Sequence, residues 1–324
     1  MINKKQIQNE PIALKNNSNK TFTEKYFFLV IGIPIFFWAF AFPVIKIGLK
    51  ELSPINLTIM RLFIVCLVFF IILILHSKKL SKFQKNDIPT LFLLGFIGVV
   101  LYHLALNYGE QYISAGSASL IIATIPLFVV ILAVVFLSEK ITLNIILGIA
   151  FSLSGVIIIS IFGNEDITLE IRYLYGALAV LLAALVGAGY TVAGKKLLQR
   201  YSPLSLTMYA FLIGSIGMIP FITPSLIKEV GQMSLAGWGA VLFLAIFPTV
   251  IGYVLWYVVL EIKAASEISI YLYFVPILST IIGYFLLYEK ITLLFILGGA
   301  LVLLGLYIVN VYRKPIKIKN NNKL

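Results

Sequence analysis

LSEKITLNIILGIAFSLSGVIII, residues 137 to 159, and LYEKITLLFILGGALVLLGLYIV, residues 287 to 309, agree at 13 of 23 positions across a fixed step of 150 residues. Two unrelated apolar stretches seldom share so much, so the chain reads as a duplication. What the duplication means for the fold depends on how many membrane crossings fit into one period.

The chain has 324 residues, of which 61% are hydrophobic and only 12% charged, too little polar surface to cover a soluble domain. A hydrocarbon core of roughly 30 Å needs about 20 apolar residues per helix. Runs of that length recur near 26–48, 54–75, 88–108, 115–137, 142–162, 173–194, 203–223, 236–259, 266–287 and 292–312. They lack the short alternating pattern of barrel strands. The expected fold is therefore an all-α membrane protein of ten transmembrane helices. A polar tail over residues 1–25 precedes them and a basic tail over 313–324 follows. No cleavable signal peptide is apparent ahead of Tyr26, and the single Cys66 has no disulfide partner in the chain.

Five spans per period is an odd number, so the second copy, 173–312, enters the membrane from the side opposite to the first, 26–162. That is the signature of an inverted repeat. Other landmarks agree to within one residue of that step. SPINLT from Ser53 lies over SPLSLT from Ser202, Lys46 over Lys196, and SLIIATIP ending at Pro126 over SIYLYFVP ending at Pro276. With the N-terminus inside, 19 basic residues fall on the inner side and four on the outer, which directs both termini to the cytoplasm. The net charge of +12 then reads as a topology signal and an attraction to anionic membrane lipid, not as a nucleic-acid surface.

The prolines suggest a cavity. Pro126 and Pro276 sit inside spans, where each removes a backbone hydrogen bond and frees the carbonyl four residues earlier, at Ile122 and Leu272. They are candidate conformational hinges, and the alternative is a kink that only aids packing. Ser119 and Ser269, each seven residues before its proline, would share the proline's face and show hydroxyls to a common space. His103, Asn107 and Glu110 form a polar stripe at i, i+4, i+7, of the kind that faces a bundle interior; the other reading is that they satisfy each other or nearby backbone. Thr249, Tyr253, Trp256 and Tyr257 share a face of the eighth span, toward the same space as Trp38 and Tyr190, with Tyr273 in the ninth; plain packing is the competing reading. Arg61 lies roughly 10 Å into the second span by helical rise, opposite Ala210 in the other repeat. It either snorkels or has a role in the interior. Gly148 with Gly155, and Gly298 with Gly305, leave one helix face bare for packing.

WAFAFPVIKIGL in the first span, an arginine in the second, and the P…SEKITL…G……G close of each five-span unit resemble the EamA-type members of the drug/metabolite transporter superfamily, over about residues 26–312. The resemblance implies a basket of helices around a central cavity, spans five and ten at its periphery. It further implies a small-molecule substrate such as an amino acid, moved by alternating access, often outward and across the cell membrane. A facilitative channel or uniporter is the alternative.

The absences narrow the chemistry. All 13 acidic residues fall at helix ends or in loops, including Glu110, and the first span lacks the membrane-embedded glutamate of the small multidrug exporters. This predicts weak pH dependence from the protein, with His103 as the one in-span group titrating near neutrality. No P-loop, metal-binding His-Glu signature or nucleophile elbow is present, so the sequence points to no enzyme, no cofactor and no metal. Nothing in it sets an oligomeric state.

Overall fold

A computed structural model describes residues 23–137, 143–162 and 171–311. Both tails, the 163–170 connection and the first Glu-Lys-Ile-Thr turn at 139–142 lie outside the described residues. Within them every element is helical. The helices are α1 (Phe27–Gly48), α2 (Pro54–His76), α3a (Ile88–Gly95) and α3b (Tyr102–Glu110), α4a (Ala115–Ile122) and α4b (Ile125–Leu137), α5 (Leu143–Phe162), α6 (Ile171–Leu197), α7 (Pro203–Gly214), α8a (Leu235–Leu244) and α8b (Gly252–Ile262), α9a (Ala265–Ser269) and α9b (Phe274–Leu287), and α10 (Leu293–Val311). Eight segments, from Phe27–Gly48 to Glu267–Leu287, are long and apolar enough to cross a membrane. Among the described residues, the helices closing each repeat carry shorter apolar stretches, Ile146–Ile159 and Leu293–Ile308. Large apolar side chains such as Phe28, Phe63, Leu75 and Phe285 stand mostly exposed, as a lipid-facing exterior requires.

The repeated Ser-Pro phrase is a helix start written twice. Ser53 and Ser202 are N-caps whose hydroxyls accept from the backbone N–H of Asn56 and Ser205, and Pro54 and Pro203 take the first helical position, where a missing N–H costs nothing. Thr58 and Thr207, which close the phrase, each donate to the proline carbonyl one turn back at 2.8 Å. Each start is tied to a loop of the other repeat. At one end of the bundle Glu229 accepts from Ser53 N–H at 2.8 Å, and Glu51 accepts from the N–H of Ser234 at 2.7 Å and from its hydroxyl. At the opposite end Ser202 N–H donates to Ser81 Oγ at 2.8 Å, and Asp87 holds Arg200 and the Tyr201 hydroxyl.

Spans three and eight each contain a π-helical segment at equivalent places: Phe96–Leu101 between α3a and α3b, and Ala245–Ile251 between α8a and α8b. A wider turn releases carbonyls from the regular ladder, and such segments cluster at functional sites. The proline breaks also differ from simple kinks. Before Pro126 the chain leaves α4a through Ala123 and Thr124, the Thr124 hydroxyl bonds the Ile121 carbonyl at 2.6 Å, and α4b restarts at Ile125. Before Pro276 the break is a 3-10 segment, Ile270–Tyr273. In both, the proline falls in the first turn of a new helix, where its ring is tolerated.

The bare glycine faces meet each other. α5 and α10 pack mainly on one another. A side chain begun at Gly155 would run into the Gly298 carbonyl at 2.5 Å, and one at Gly305 into the Gly148 carbonyl at the same distance. Backbone-to-backbone approach of this kind needs small residues on both sides. Ser152 adds a bond across it, donating to the Val302 carbonyl at 3.3 Å.

The second copy of the repeated phrase caps a helix of the first repeat. Tyr288 turns the chain with φ of 57°, and the Glu289 carboxylate accepts from Ala115 N–H at 2.8 Å and Gly116 N–H at 3.2 Å, the start of α4a. A carboxylate there satisfies free N–H groups and meets the positive end of the helix.

Candidate substrate cavity

A cavity of about 80 Å³ lies between the two repeats. A water needs about 10–15 Å³ on this measure, so the space holds several waters or one small metabolite. Its walls come from α1 (Trp38, Phe42, Ile45), α2 (Arg61), α3 (Gly98, Tyr102, His103), α4 (Ile122, Ala123, Ile125), α6 (Tyr190, Thr191), α8 (Tyr253, Trp256) and α9 (Leu272, Val275). Neither α5 nor α10 contributes.

The π segments supply part of the wall's polar chemistry. In the first, the Val99 carbonyl accepts from His103 Nδ1 at 2.7 Å. A carbonyl only accepts, so Nδ1 carries the hydrogen and Nε2 of the neutral ring is an acceptor, which is buried and has no partner. In the second, Pro248 cannot donate to Leu244, and the Thr249 hydroxyl takes its place, donating to the Leu244 carbonyl at 2.7 Å. The oxygen of Thr249 then accepts from Arg61 Nε at 2.8 Å. The Pro248 carbonyl is taken by Trp38 Nε1 at 2.9 Å. Gly252 makes that contact possible, because a Cβ there would sit 2.9 Å from the indole nitrogen.

Arg61 is 3% exposed and reaches inward, so it does not snorkel. Its Nη1 is buried and unpaired, while no hydrogen bond joins it to a carboxylate. An unpaired buried cation is costly unless something fills the space beside it. Around it stand aromatic rings centred on Tyr253, with Tyr190 at 5.5 Å and Trp38 at 6.1 Å edge to face, and His103 nearly parallel at 6.0 Å. Trp256 closes on Trp38 at 5.3 Å.

Six of the residues expected at the site therefore line one space: Trp38, Arg61, His103, Tyr190, Tyr253 and Trp256. Four do not. Ser119 and Ser269 are fully buried with their hydroxyls spent on their own helices, donating to the Gly116 and Ala265 carbonyls at 2.7 and 2.5 Å. A serine with no water to bond folds back onto the preceding turn, and this overrides the shared face with the proline. Asn107 points aside and donates to Thr58 Oγ1 at 2.9 Å, joining α3b to α2. Tyr273, in the 3-10 break, packs against the core outside the cavity. Conversely Tyr102, which lines the wall beside His103, carried no sequence signal beyond that adjacency.

Residues 26–161 and 174–311 each match the EamA-like transporter family. The chain belongs to the EamA-like transporter family. Its family is one of membrane transporters, not enzymes. It is 39% identical to a protein of Archaeoglobus fulgidus named an uncharacterized transporter, over 87% of this chain and 97% of that one. To the uncharacterized transporter YdfC of Bacillus subtilis it is 35% identical, over 86% and 87%. To a probable terminal-alkyne amino-acid exporter of Streptantibioticus cattleyicolor it is 33% identical, over 84% and 89%. A solved structure with 17% identity overlays with a TM-score of 0.59, covering 87% of this chain and 96% of the other, a likeness of fold.

Proposed function

We propose that this EamA transporter is a secondary carrier that exports or exchanges amino acids or closely related metabolites by alternating access of two inverted five-helix repeats, ten transmembrane helices in all. It sits in the cell membrane with both termini in the cytoplasm. The observation that carries the substrate reading is the presence, along one cavity, of the unpartnered Arg61 Nη1 donor and the unpartnered His103 Nε2 acceptor. A zwitterion brings complementary groups: a carboxylate for the guanidinium and an ammonium for the imidazole nitrogen. The rings of Trp38, Tyr190, Tyr253 and Trp256 offer an apolar wall and faces suited to a cation. One related protein is named an amino-acid exporter, which supports the same class.

The test is counterflow. Proteoliposomes loaded with one unlabelled amino acid at a time accumulate the labelled form transiently if a carrier exchanges it, and trans-stimulation separates an alternating-access carrier from a pore. No counterflow for any member of a full amino-acid panel, from protein that is folded by thermal melting, overturns the substrate class. Orientation is tested by single cysteines at Asn144 and Lys290 in a background lacking Cys66. These should label from opposite sides with an impermeant reagent; labelling from one side refutes the inversion.

A further inference from the structure

Glu110 closes α3b with its side chain wholly buried, and neither carboxyl oxygen has a hydrogen-bond partner. An ionised carboxylate out of water normally collects donors, since burial without them is costly. Its place makes charge harder still to hold, because the C-terminal end of a helix presents carbonyl oxygens and repels anions.

The charged groups around it come from three elements. α1 contributes Lys46, half-buried; the turn before α10 contributes Glu289; and α2 contributes Arg61, farther into the bundle. α6 packs against the same stretch with Gly176, Ala177 and Val180, which carry no charge. α4a brings the N–H groups of Ala115 and Gly116, both already bonded to Glu289. Lys46 is thus shared by two carboxylates, Glu110 and Glu289, so one ammonium faces two acids and the group carries one acid in excess. Lys46 and Glu289 are both partly exposed, whereas Glu110 is not.

From this geometry we infer that Glu110 is a proton-binding site of the transporter, separate from the substrate cavity, whose carboxyl alternates between the acid and the carboxylate. Taking up a proton from water at one oxygen makes the group of Glu110, Lys46 and Glu289 neutral, and releasing it returns one negative charge. The same helix connects this charge to the cavity, for Glu110 lies two turns beyond His103 on one face, about 10 Å along α3b. The acidic group that the sequence placed harmlessly at a helix end is thus a buried one, and the expectation that the protein adds little pH dependence is replaced.

The site is tested on the full chain in lipid nanodiscs with no substrate present, so its outcome is independent of what the cavity carries. Infrared difference spectra recorded over a pH titration should show the carbonyl stretch of a buried carboxylic acid appearing on acidification. In Glu110→Gln, which imitates the protonated form, that band should be absent; in Glu289→Gln it should persist. If Glu110→Gln does not fold, Glu110→Asp serves, with the band expected at a shifted frequency and midpoint. A band unchanged in Glu110→Gln, or in Glu110→Asp, overturns the assignment. So does a band whose midpoint follows sodium when choline replaces it at constant ionic strength, since the bound ion would then be a metal cation.

Discussion

His103 in the first repeat and Tyr253 in the second stand 150 residues apart in sequence at equivalent points just past the π segments, and their rings face each other at 6.0 Å. The same offset sets Arg61 against the neighbourhood of Ala210 and Glu110 against Leu260. The fully buried Arg61, His103 and Glu110 thus all belong to one repeat, while the other places rings and aliphatic chains at the equivalent points. Lys195 sharpens the contrast: at the end of α8b it caps the carbonyls of Leu260 and Lys263, whereas the corresponding end of α3b holds the unpaired Glu110 beside Lys46. Duplication built the walls twice, and divergence left the fully buried Arg61, His103 and Glu110 on one side. A symmetric scaffold can in this way bind an asymmetric ligand in one orientation.

The most severe way to break that comparison is to remove the charge that only the first repeat has. Arg61→Gln is expected to cut counterflow of a carboxylate-bearing substrate on the order of 100-fold at unchanged abundance, the scale of a lost buried charge partner. Arg61→Lys should fall between, because an ammonium cannot make two parallel bonds to a carboxylate. Wild-type counterflow in Arg61→Gln would mean that the rings alone select the ligand. Next in size is the proline pair. Pro126→Ala and Pro276→Ala should each lower turnover several-fold while leaving protein levels nearly intact, since a restored helix stiffens a moving wall. Equal turnover per molecule in both variants would reduce the breaks to packing features, and a loss in only one would extend the asymmetry to the hinges.

A smaller effect concerns the contact that treats both repeats alike. Gly155→Ala should destabilise the protein by about 1–3 kcal/mol in thermal melting, as an overpacked core does. Gly32→Ala, where the new methyl meets nothing within 4 Å, should leave stability unchanged or slightly raised. Equal melting temperatures for the two variants would contradict the backbone contact. The smallest effect is at the loop tie of Glu51. Hydrogen bonds from Ser234 hold its carboxyl below the usual carboxylate range. A depressed folded-state value means stabilisation that is present above the unfolded-state value and lost as pH falls through the folded one. The melting temperature of Glu51→Gln should therefore lie slightly below wild type at neutral pH and converge with it on acidification. A gap that persists in acid would point to shape and not charge.

The architecture was legible where apolar run length and repetition carry it. Ser53-Pro54 and Ser202-Pro203 announce helix starts by residue chemistry alone, and the paired glycines announce a close helix contact. Arg61, His103, Trp38, Tyr190, Tyr253 and Trp256 stood out because polar and large aromatic groups are conspicuous in an apolar run. The π segments did not, since widening one turn leaves the hydrophobic pattern of a fully apolar span unchanged. Ser119 and Ser269 misled because sequence position gives a helix face but not the rotamer, and both hydroxyls turn back to their own backbone. Glu110 was hidden for the opposite reason: a helix terminus suggests water, and only the tertiary packing around that end of α3b, α6 above all, buries the side chain.

The glycine contact between α5 and α10 has a consequence for how the chain is made. α5 finishes the first repeat during synthesis, but its bare face and the Ser152 hydroxyl find their partner only on α10, which is made a whole repeat later. Until Leu293–Val311 is inserted, the first repeat keeps an unsealed seam of exposed backbone. A nascent chain stopped just short of α10 would leave α5 without a mate and open to quality control, so α10 acts as the closing stitch of both halves.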